Sequence, residues 1–134
     1  MENPVWKQFN QAPLSHSAAH YLMAIHSLEE AGCEVRLKDI AEYLHIAPAS
    51  ALQGLKALVK KKLLAETSDK LYRLTDDGLF QIQLVEKNKD LSLRFFRDVL
   101  GVSESQADED SCKIEHLLSS ETSEKLRIFL DKKA

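Results

Sequence analysis

Residues 37–64, LKDIAEYLHIAPASALQGLKALVKKKLL, decide the fold. Apolar residues recur at helical spacing on both sides of the tripeptide 45–47, which predicts a short helix over about 37–44 and another that continues to about residue 62. Pro48 indicates where the later helix begins, because the first turn of a helix tolerates a residue without an N–H. Two helices joined by so tight a turn are typical of a helix-turn-helix.

The segments on either side extend this pattern. An upstream apolar stripe at helical spacing predicts a helix from about residue 15 to 31, and Gly32 stops it. Downstream, residues 63–67 and 71–74 predict two short strands joined by a three-residue turn. The order helix, helix, turn, helix, hairpin predicts a winged helix-turn-helix.

The rest of the chain predicts three further helices. One runs from Thr75 to Leu100, the next follows Ser103 and carries residues 112–118, and the last covers about 123–130. Their apolar positions exceed what a winged helix-turn-helix module alone can cover, so we expect a two-fold homodimer.

The predicted fold class is therefore mainly α. It comprises a winged helix-turn-helix domain with a small β-hairpin wing and a helical dimerisation domain. We expect an N-terminal arm at 1–14, the DNA-binding domain at 15–76, and the helical metal-binding and dimerisation domain at 77–134.

Composition narrows the class of protein. The 134 residues carry a net charge of −3, yet residues 1–75 are +1 and residues 76–134 are −4. A local basic patch can bind phosphate although the whole chain is acidic. No apolar run approaches the roughly 20 residues of a membrane helix, and the N-terminus lacks an apolar signal core, so we expect a cytoplasmic protein without membrane contact.

The second helix of the helix-turn-helix supplies the candidate contacts to double-stranded DNA. Gln53 can bond adenine bidentately, and apolar side chains suit a thymine methyl group. Basic side chains on this helix and the wing are better placed for phosphate. The candidate residues are Ala49, Ser50, Leu52, Gln53, Lys56, Lys60, Lys70 and Arg73. A dimer would present two such helices about 34–36 Å apart, which predicts a palindromic operator.

Several motifs over about residues 15–130 resemble one known family. They are Ile40-Ala41-x-x-Leu44, Pro48-x-Ser50, Leu74-Thr75-x-x-Gly78 and, most specific, Cys112-x-x-Glu115-His116. Together they resemble the diphtheria toxin repressor family of iron- and manganese-dependent transcriptional regulators, in a two-domain form without the SH3-like domain. The resemblance implies a dimeric repressor whose C-terminal helices carry a metal site.

The candidate metal ligands are His20, Cys112, Glu115 and His116. The last three lie at i, i+3 and i+4, so on one helix they would share a face. Thiolate, carboxylate and imidazole all bind divalent transition metals. The resemblance implies that His20 completes the set. The thiolate argues against manganese, but ligand softness alone would also accept zinc, cobalt or nickel. The resemblance, in which a cysteine at this position goes with iron-type members, implies Fe²⁺ as the first choice, with Zn²⁺ or Mn²⁺ as alternatives. In the alternative interpretation no metal binds: the Cys112 motif is a surface stretch, and His20 packs beside His16.

The sequence departs from the family at a second metal site. Positions that the resemblance assigns to histidine and glutamate hold Lys89 and Leu93, and a further histidine position holds Asp108. Leucine cannot ligate, and a protonated lysine repels a cation. We therefore expect no intact second site, with Lys89 paired to Glu115 or Asp108.

Three functions follow from these residues. The first is a metal-responsive transcriptional regulator that represses by binding a palindromic operator as a dimer. The second is a winged-helix regulator whose degenerate metal site exerts no control, and the third is a winged-helix protein-interaction module. We expect no enzyme, because the sequence contains no phosphate loop and no nucleophile motif.

Overall fold

The computed structural model describes residues 14–133 of the chain. Within them, six α-helices and one antiparallel hairpin confirm the predicted mainly α class. The predicted arm, residues 1–14, lies outside the described residues except for Leu14. None of the described helices combines the length and apolar character needed to cross a bilayer.

The chain divides into two compact units. The N-terminal unit is His16–Ile82, and the C-terminal unit begins at Gln83 and includes Leu14 and Ser15. The boundary predicted after residue 76 separates domains by function, whereas these units are separated by compactness, so that boundary stays a prediction.

The N-terminal unit opens with three α-helices. They are α1 (His16–Glu30), α2 (Leu37–Leu44) and α3 (Pro48–Lys60). Helix α2 ends because His45 adopts a left-handed conformation (φ 56°), which turns the chain sharply. Pro48 then occupies the first position of α3, as its sequence predicts.

The hairpin follows α3 and is slightly shorter than predicted. Its strands are β1 (Leu64–Glu66) and β2 (Tyr72–Leu74), with Ala65 opposite Arg73. The Tyr72 N–H donates to the Val35 carbonyl at 2.8 Å, which attaches the hairpin to the segment before α2.

One core stabilises this unit. It draws on each of the three helices, since Ile25 of α1, Ile40 of α2 and Leu55 of α3 have no exposed surface. Each fully buried aliphatic side chain contributes about 1.5–3 kcal/mol. The same core fixes which face of α3 remains outside.

The C-terminal unit is helical. Helix α4 runs from Asp76 to Arg94, a π-helical segment covers Phe95–Val99, α5 covers Glu104–Ile114, and α6 covers Ser120–Lys133. The boundary between the two units falls within α4.

Two predicted helices of this unit need correction. The helix predicted to reach Leu100 changes to π geometry, because the Leu100 N–H donates to the carbonyl of Phe95, five residues back. The helix predicted to carry residues 112–118 ends at Ile114, and the following residues form a turn that the Leu117 N–H closes on the Ile114 carbonyl at 2.9 Å.

Gly78, the third residue of α4, predicts a measurable packing constraint. A Cβ there would collide with the backbone carbonyl oxygen of Leu63, which is itself fixed by accepting a hydrogen bond from the Thr75 N–H. In an open helix interior, Gly→Ala stabilises by about 1 kcal/mol. Here we expect Gly78→Ala to lower the free energy of unfolding by about 1–3 kcal/mol, because backbone must shift.

Urea denaturation of the full chain measures this change. Gln83→Ala, at an exposed position of the same helix, is the matched control and should differ little from wild type. A Gly78→Ala variant as stable as wild type would contradict the constraint.

Candidate functional site

The outer face of α3 presents most of the predicted DNA-contacting residues. Ala49, Ser50, Gln53 and Lys56 are exposed, whereas Leu52 is half-buried. This arrangement follows from the core, because burial of the opposite face leaves these positions outward. Their contacts to bases stay predictions.

The basic residues of the wing are also exposed. Lys70 lies in the turn between the strands and Arg73 on β2. The guanidinium of Arg36 donates to the Asp69 carbonyl at 2.9 Å, which ties this turn to the residue that precedes α2. Lys60, at the end of α3, is exposed as well. The basic groups predicted to contact phosphate are therefore accessible.

Helix α1 carries two neighbouring histidines. The rings of His16 and His20 lie 4.5 Å apart between centroids, at an interplanar angle of 69°. A ring nitrogen of one lies within 4.8 Å of a ring nitrogen of the other. The sequence analysis named His16 only as a packing partner, although its i, i+4 spacing from His20 could have marked it as a ligand.

The end of α5 brings together two other predicted ligands. The Cys112 Sγ and a carboxylate oxygen of Glu115 lie within 4.8 Å of each other. Glu115 directly follows the helix but keeps helical dihedral angles (φ −56°, ψ −32°), which preserves its spacing from Cys112. Three ligands were predicted on one helix, but His116 lies in the turn beyond it. Among described residues, His116 is not part of this close grouping.

The Glu115 carboxyl group is the most unusual group of the C-terminal unit. Its side chain has 0 % exposed surface, and neither oxygen has a hydrogen-bond partner among the described residues. Burial raises the pKa of Glu115 to about 7. Nearby Lys89 opposes this shift, whereas the negative charges of Asp108 and Glu86 add to it. A buried carboxylate without a donor fits a bound cation, which would supply the missing charge.

The neighbouring thiol is also shifted toward its neutral form. Burial raises the pKa of Cys112, and the charges of Glu115 and Asp108 add to the effect while Lys89 opposes it. A metal ion reverses this preference, because it binds the thiolate and displaces the proton. Both groups become anions when they lose their protons, so a bound cation would neutralise two neighbouring negative charges.

Asn88 of α4 holds the backbone at Glu115, and the sequence analysis missed it. Its side-chain amide donates to the Glu115 carbonyl at 3.0 Å, and its amide oxygen accepts from the Ser123 hydroxyl at 2.6 Å. The Ser92 hydroxyl donates to the Asn88 carbonyl at 2.7 Å. These bonds join α4, the residue after α5 and the start of α6. They fix the backbone from which the Glu115 side chain extends.

Two of the positions at which the resemblance implies a second metal site hold an ion pair instead. The Lys89 Nζ lies 3.4 Å from an Asp108 carboxylate oxygen. Of the two partners predicted for Lys89, the structure selects Asp108. Leu93 is half-buried and offers no ligand atom.

Two family models match consecutive parts of the chain. The N-terminal DNA-binding domain of iron-dependent repressors matches residues 13–73, and their metal-binding and dimerisation domain matches residues 75–133. The division falls between the DNA-contacting candidates and the residues around Glu115.

Individual relatives agree with these matches. An uncharacterised HTH-type transcriptional regulator of Methanocaldococcus jannaschii, MJ0568, is 29% identical over 121 residues, which cover 89% of this chain and 96% of the relative. The diphtheria toxin repressor of Corynebacterium diphtheriae is 26% identical over 106 residues, or 79% of this chain and 47% of the relative. The chain thus spans about half the length of that repressor.

Solved structures give the same result. The hypothetical protein SSo2273 from Sulfolobus solfataricus matches with a TM-score of 0.77 and 25% identity, covering 89% of this chain and 91% of that one. ScaR with bound Zn²⁺ matches with a TM-score of 0.74 and 25% identity, covering 85% of this chain and 53% of that one. The predicted resemblance is confirmed, and the chain belongs to the iron-dependent repressor family of metal-responsive transcriptional regulators.

Proposed function

We propose that this chain represses transcription by binding a palindromic operator as a homodimer when a divalent metal occupies its C-terminal domain. The observation that carries the proposal is the fully buried Glu115 carboxylate, which lacks a hydrogen-bond donor among residues 14–133. It lies beside the Cys112 thiol, within the segment that matches the family's metal-binding domain.

The proposed ligands are His20, Cys112, Glu115 and His116. They offer two imidazoles, a thiolate and a carboxylate, a mixture that suits transition metals. A bound cation would neutralise the carboxylate and hold the thiol as a thiolate. The residues themselves release protons as they bind it.

Fe²⁺ is the proposed ion, with Zn²⁺ second. A thiolate binds these ions better than Mn²⁺, which favours carboxylate and carbonyl oxygens. One related protein is associated with more than one ion, since ScaR has been solved with Zn²⁺ and is also described as a manganese-activated repressor. In this chain, Cys112 supports the softer ions.

On the DNA side, the exposed face of α3 would enter the major groove. Gln53 would read a base edge, while Ala49 and Leu52 would contact apolar groups. Lys56, Lys60, Lys70 and Arg73 would contact phosphates, which adds affinity without sequence choice. Two copies of α3 in a homodimer would read the two halves of the operator.

The Lys89–Asp108 ion pair supports one metal ion per protomer. Lys89 brings a positive charge to a position where the family resemblance expects a second metal ligand. The pair also lends weight to the second candidate function, a regulator without metal control, because a fixed ammonium already offsets part of the acidic charge around Glu115. Metal dependence of DNA binding separates the two functions.

We expect binding to the chain's own promoter DNA to require metal. Fluorescence anisotropy should show tight binding with Fe²⁺ under anaerobic conditions or with Zn²⁺, and loss of affinity with a chelator. Glu115→Gln removes the charge but keeps the shape, so it should abolish the metal response. A wild-type chain that binds equally with and without chelator would support the regulator without metal control.

The same assay tests the DNA surface. Lys56→Ala combined with Arg73→Ala should weaken binding and reduce the salt slope by about 2, because each phosphate contact contributes about 0.9 to that slope. Lys113→Ala, an exposed lysine of α5, is the matched control. An unchanged slope in the double variant would favour a protein-interaction module.

Metal stoichiometry tests the second site. Isothermal titration should give one tight ion per protomer, since Lys89 and Leu93 cannot complete another set of ligands. The triple substitution Lys89→His, Leu93→Glu and Asp108→His restores ligand types at these positions and should raise the stoichiometry. Two tight ions in the wild-type protein would refute the single-site proposal.

The raised pKa of Glu115 predicts how the metal-free protein responds to pH. The folded state holds the proton up to about pH 7, whereas an ordinary carboxyl loses it near 4.5. The folded state therefore binds more protons in this window, and the contribution of Glu115 to stability falls as pH rises from about 4.5 to 7.

Urea denaturation in the presence of chelator measures this dependence. Glu115→Gln cannot titrate, so the difference between wild type and variant should change in that window and level off outside it. A constant difference from pH 4.5 to 7 would show that the carboxyl group titrates normally.

A further inference from the structure

Helix α1 presents a pair of imidazoles that goes beyond the proposed ligand set. His16 lies in the first turn, four residues before His20, so both side chains leave the same face of the helix. Their rings are in edge contact, and a nitrogen of each lies within 4.8 Å of the other. His16 is exposed and His20 is half-buried, so an ion could reach both.

We propose that His16 is a further metal ligand and binds the same ion as His20. This inference rests on the proposed function, in which His20 is a ligand. Two histidines at i, i+4 of a helix are a recurrent way to chelate one ion. Metal–nitrogen bonds of about 2.0–2.1 Å leave the two donor atoms roughly 3–4 Å apart, within reach of small side-chain rotations from the observed separation.

The i, i+4 spacing alone does not distinguish the His16–His20 pair, because a third histidine of α1 has a similar neighbour. His26 also has an i, i+4 neighbour, but that neighbour is Glu30, whose carboxylate lies 3.3 Å from the imidazole Nε2. An exposed carboxylate offers this imidazole an ordinary ion pair. His16 and His20 instead bring two imidazole rings into edge contact, and an imidazole nitrogen is a common metal ligand.

A second imidazole from α1 changes the expected metal preference. With His16, the proposed ligand set would contain three imidazoles, a thiolate and a carboxylate, all of them donor types found in zinc sites. Imidazole and thiolate both disfavour manganese relative to zinc. The His16–His20 pair therefore makes Zn²⁺ a stronger competitor of Fe²⁺ in this chain.

The test titrates the full chain with Co²⁺ and with Zn²⁺. The thiolate-to-cobalt charge-transfer band reports binding at Cys112, and the d–d bands report the number and type of donors. Zn²⁺ affinity follows from competition with a chromophoric chelator. We expect His16→Ala to keep the charge-transfer band, to change the d–d bands and to lower Zn²⁺ affinity at least about tenfold, since even outer partners of ligands contribute 10–100-fold.

Three variants sharpen the result. His26→Ala is the matched control on the same helix and should leave both spectra and affinity unchanged. His16→Asp retains a ligand atom and should recover part of the affinity, whereas His16→Gln should not. Because His16 is exposed, circular dichroism should show wild-type helix content in each variant.

The outcomes separate this inference from the proposed function. Wild-type affinity and d–d bands in His16→Ala, with the charge-transfer band present, would overturn the His16 assignment alone. Absence of that band in the wild-type chain would overturn the proposed Cys112 site, and the inference with it. If His16→Ala and Cys112→Ser each removed a different ion from a two-ion titration, the histidines would bind separately, and the single-ion inference would be wrong.

Discussion

The uncompensated burial of one carboxyl group governs the chemistry of the C-terminal unit. Removing a carboxylate from water costs several kcal/mol unless hydrogen bonds or opposite charge replace the solvent. Glu115 has lost the water, and its oxygens receive no hydrogen bond from the described residues. The protein meets this cost with a proton when no cation is present, because burial moves the pKa of Glu115 to about 7. The group is therefore poised to exchange a proton for a metal ion near neutral pH.

The surroundings of this group keep it in that state. Asn88 fixes the backbone at Glu115 but donates no hydrogen bond to the carboxylate oxygens. The residue is therefore held in place while its carboxylate has no hydrogen-bond donor among the described residues. The ammonium of Lys89 is engaged with Asp108 and offsets the acidic charges only in part. A hydrogen bond to the carboxylate would lower its energy and so reduce the free energy gained when a cation binds. The arrangement therefore favours binding of a cation over a hydrogen bond from within the protein.

Local sequence signals predicted the DNA-binding half well. The bounds of α2, Leu37–Leu44, agree with the predicted helix, because its apolar period, the turn after it and Pro48 are all encoded within about twelve residues. The C-terminal unit was harder to predict. Helix α5 ends at Ile114 without a glycine or proline, and a hydrogen bond from distant Asn88 holds the next residue. The change to π geometry after Arg94 depends on which carbonyl each N–H selects, and apolar spacing does not distinguish the two choices.

The candidate site, too, was predicted from the sequence only in part. Residue types and the family resemblance were enough to nominate Cys112 and Glu115, which the structure places side by side. Sequence spacing placed His116 on the same helix, but that residue follows the helix end. Asn88 carried no motif of its own, and only its neighbours in space indicate a role, whereas the i, i+4 spacing of His16 from His20 was a signal present in the sequence.

The Lys89–Asp108 pair has a consequence for how steeply such a regulator responds. An ammonium group attached to the chain cannot be withdrawn during metal starvation, so this part of the charge balance is constant. If each protomer binds a single ion, as proposed, its occupancy follows a gradual saturation curve. On that proposal, any sharper dose response would have to arise from communication between the two halves of a dimer.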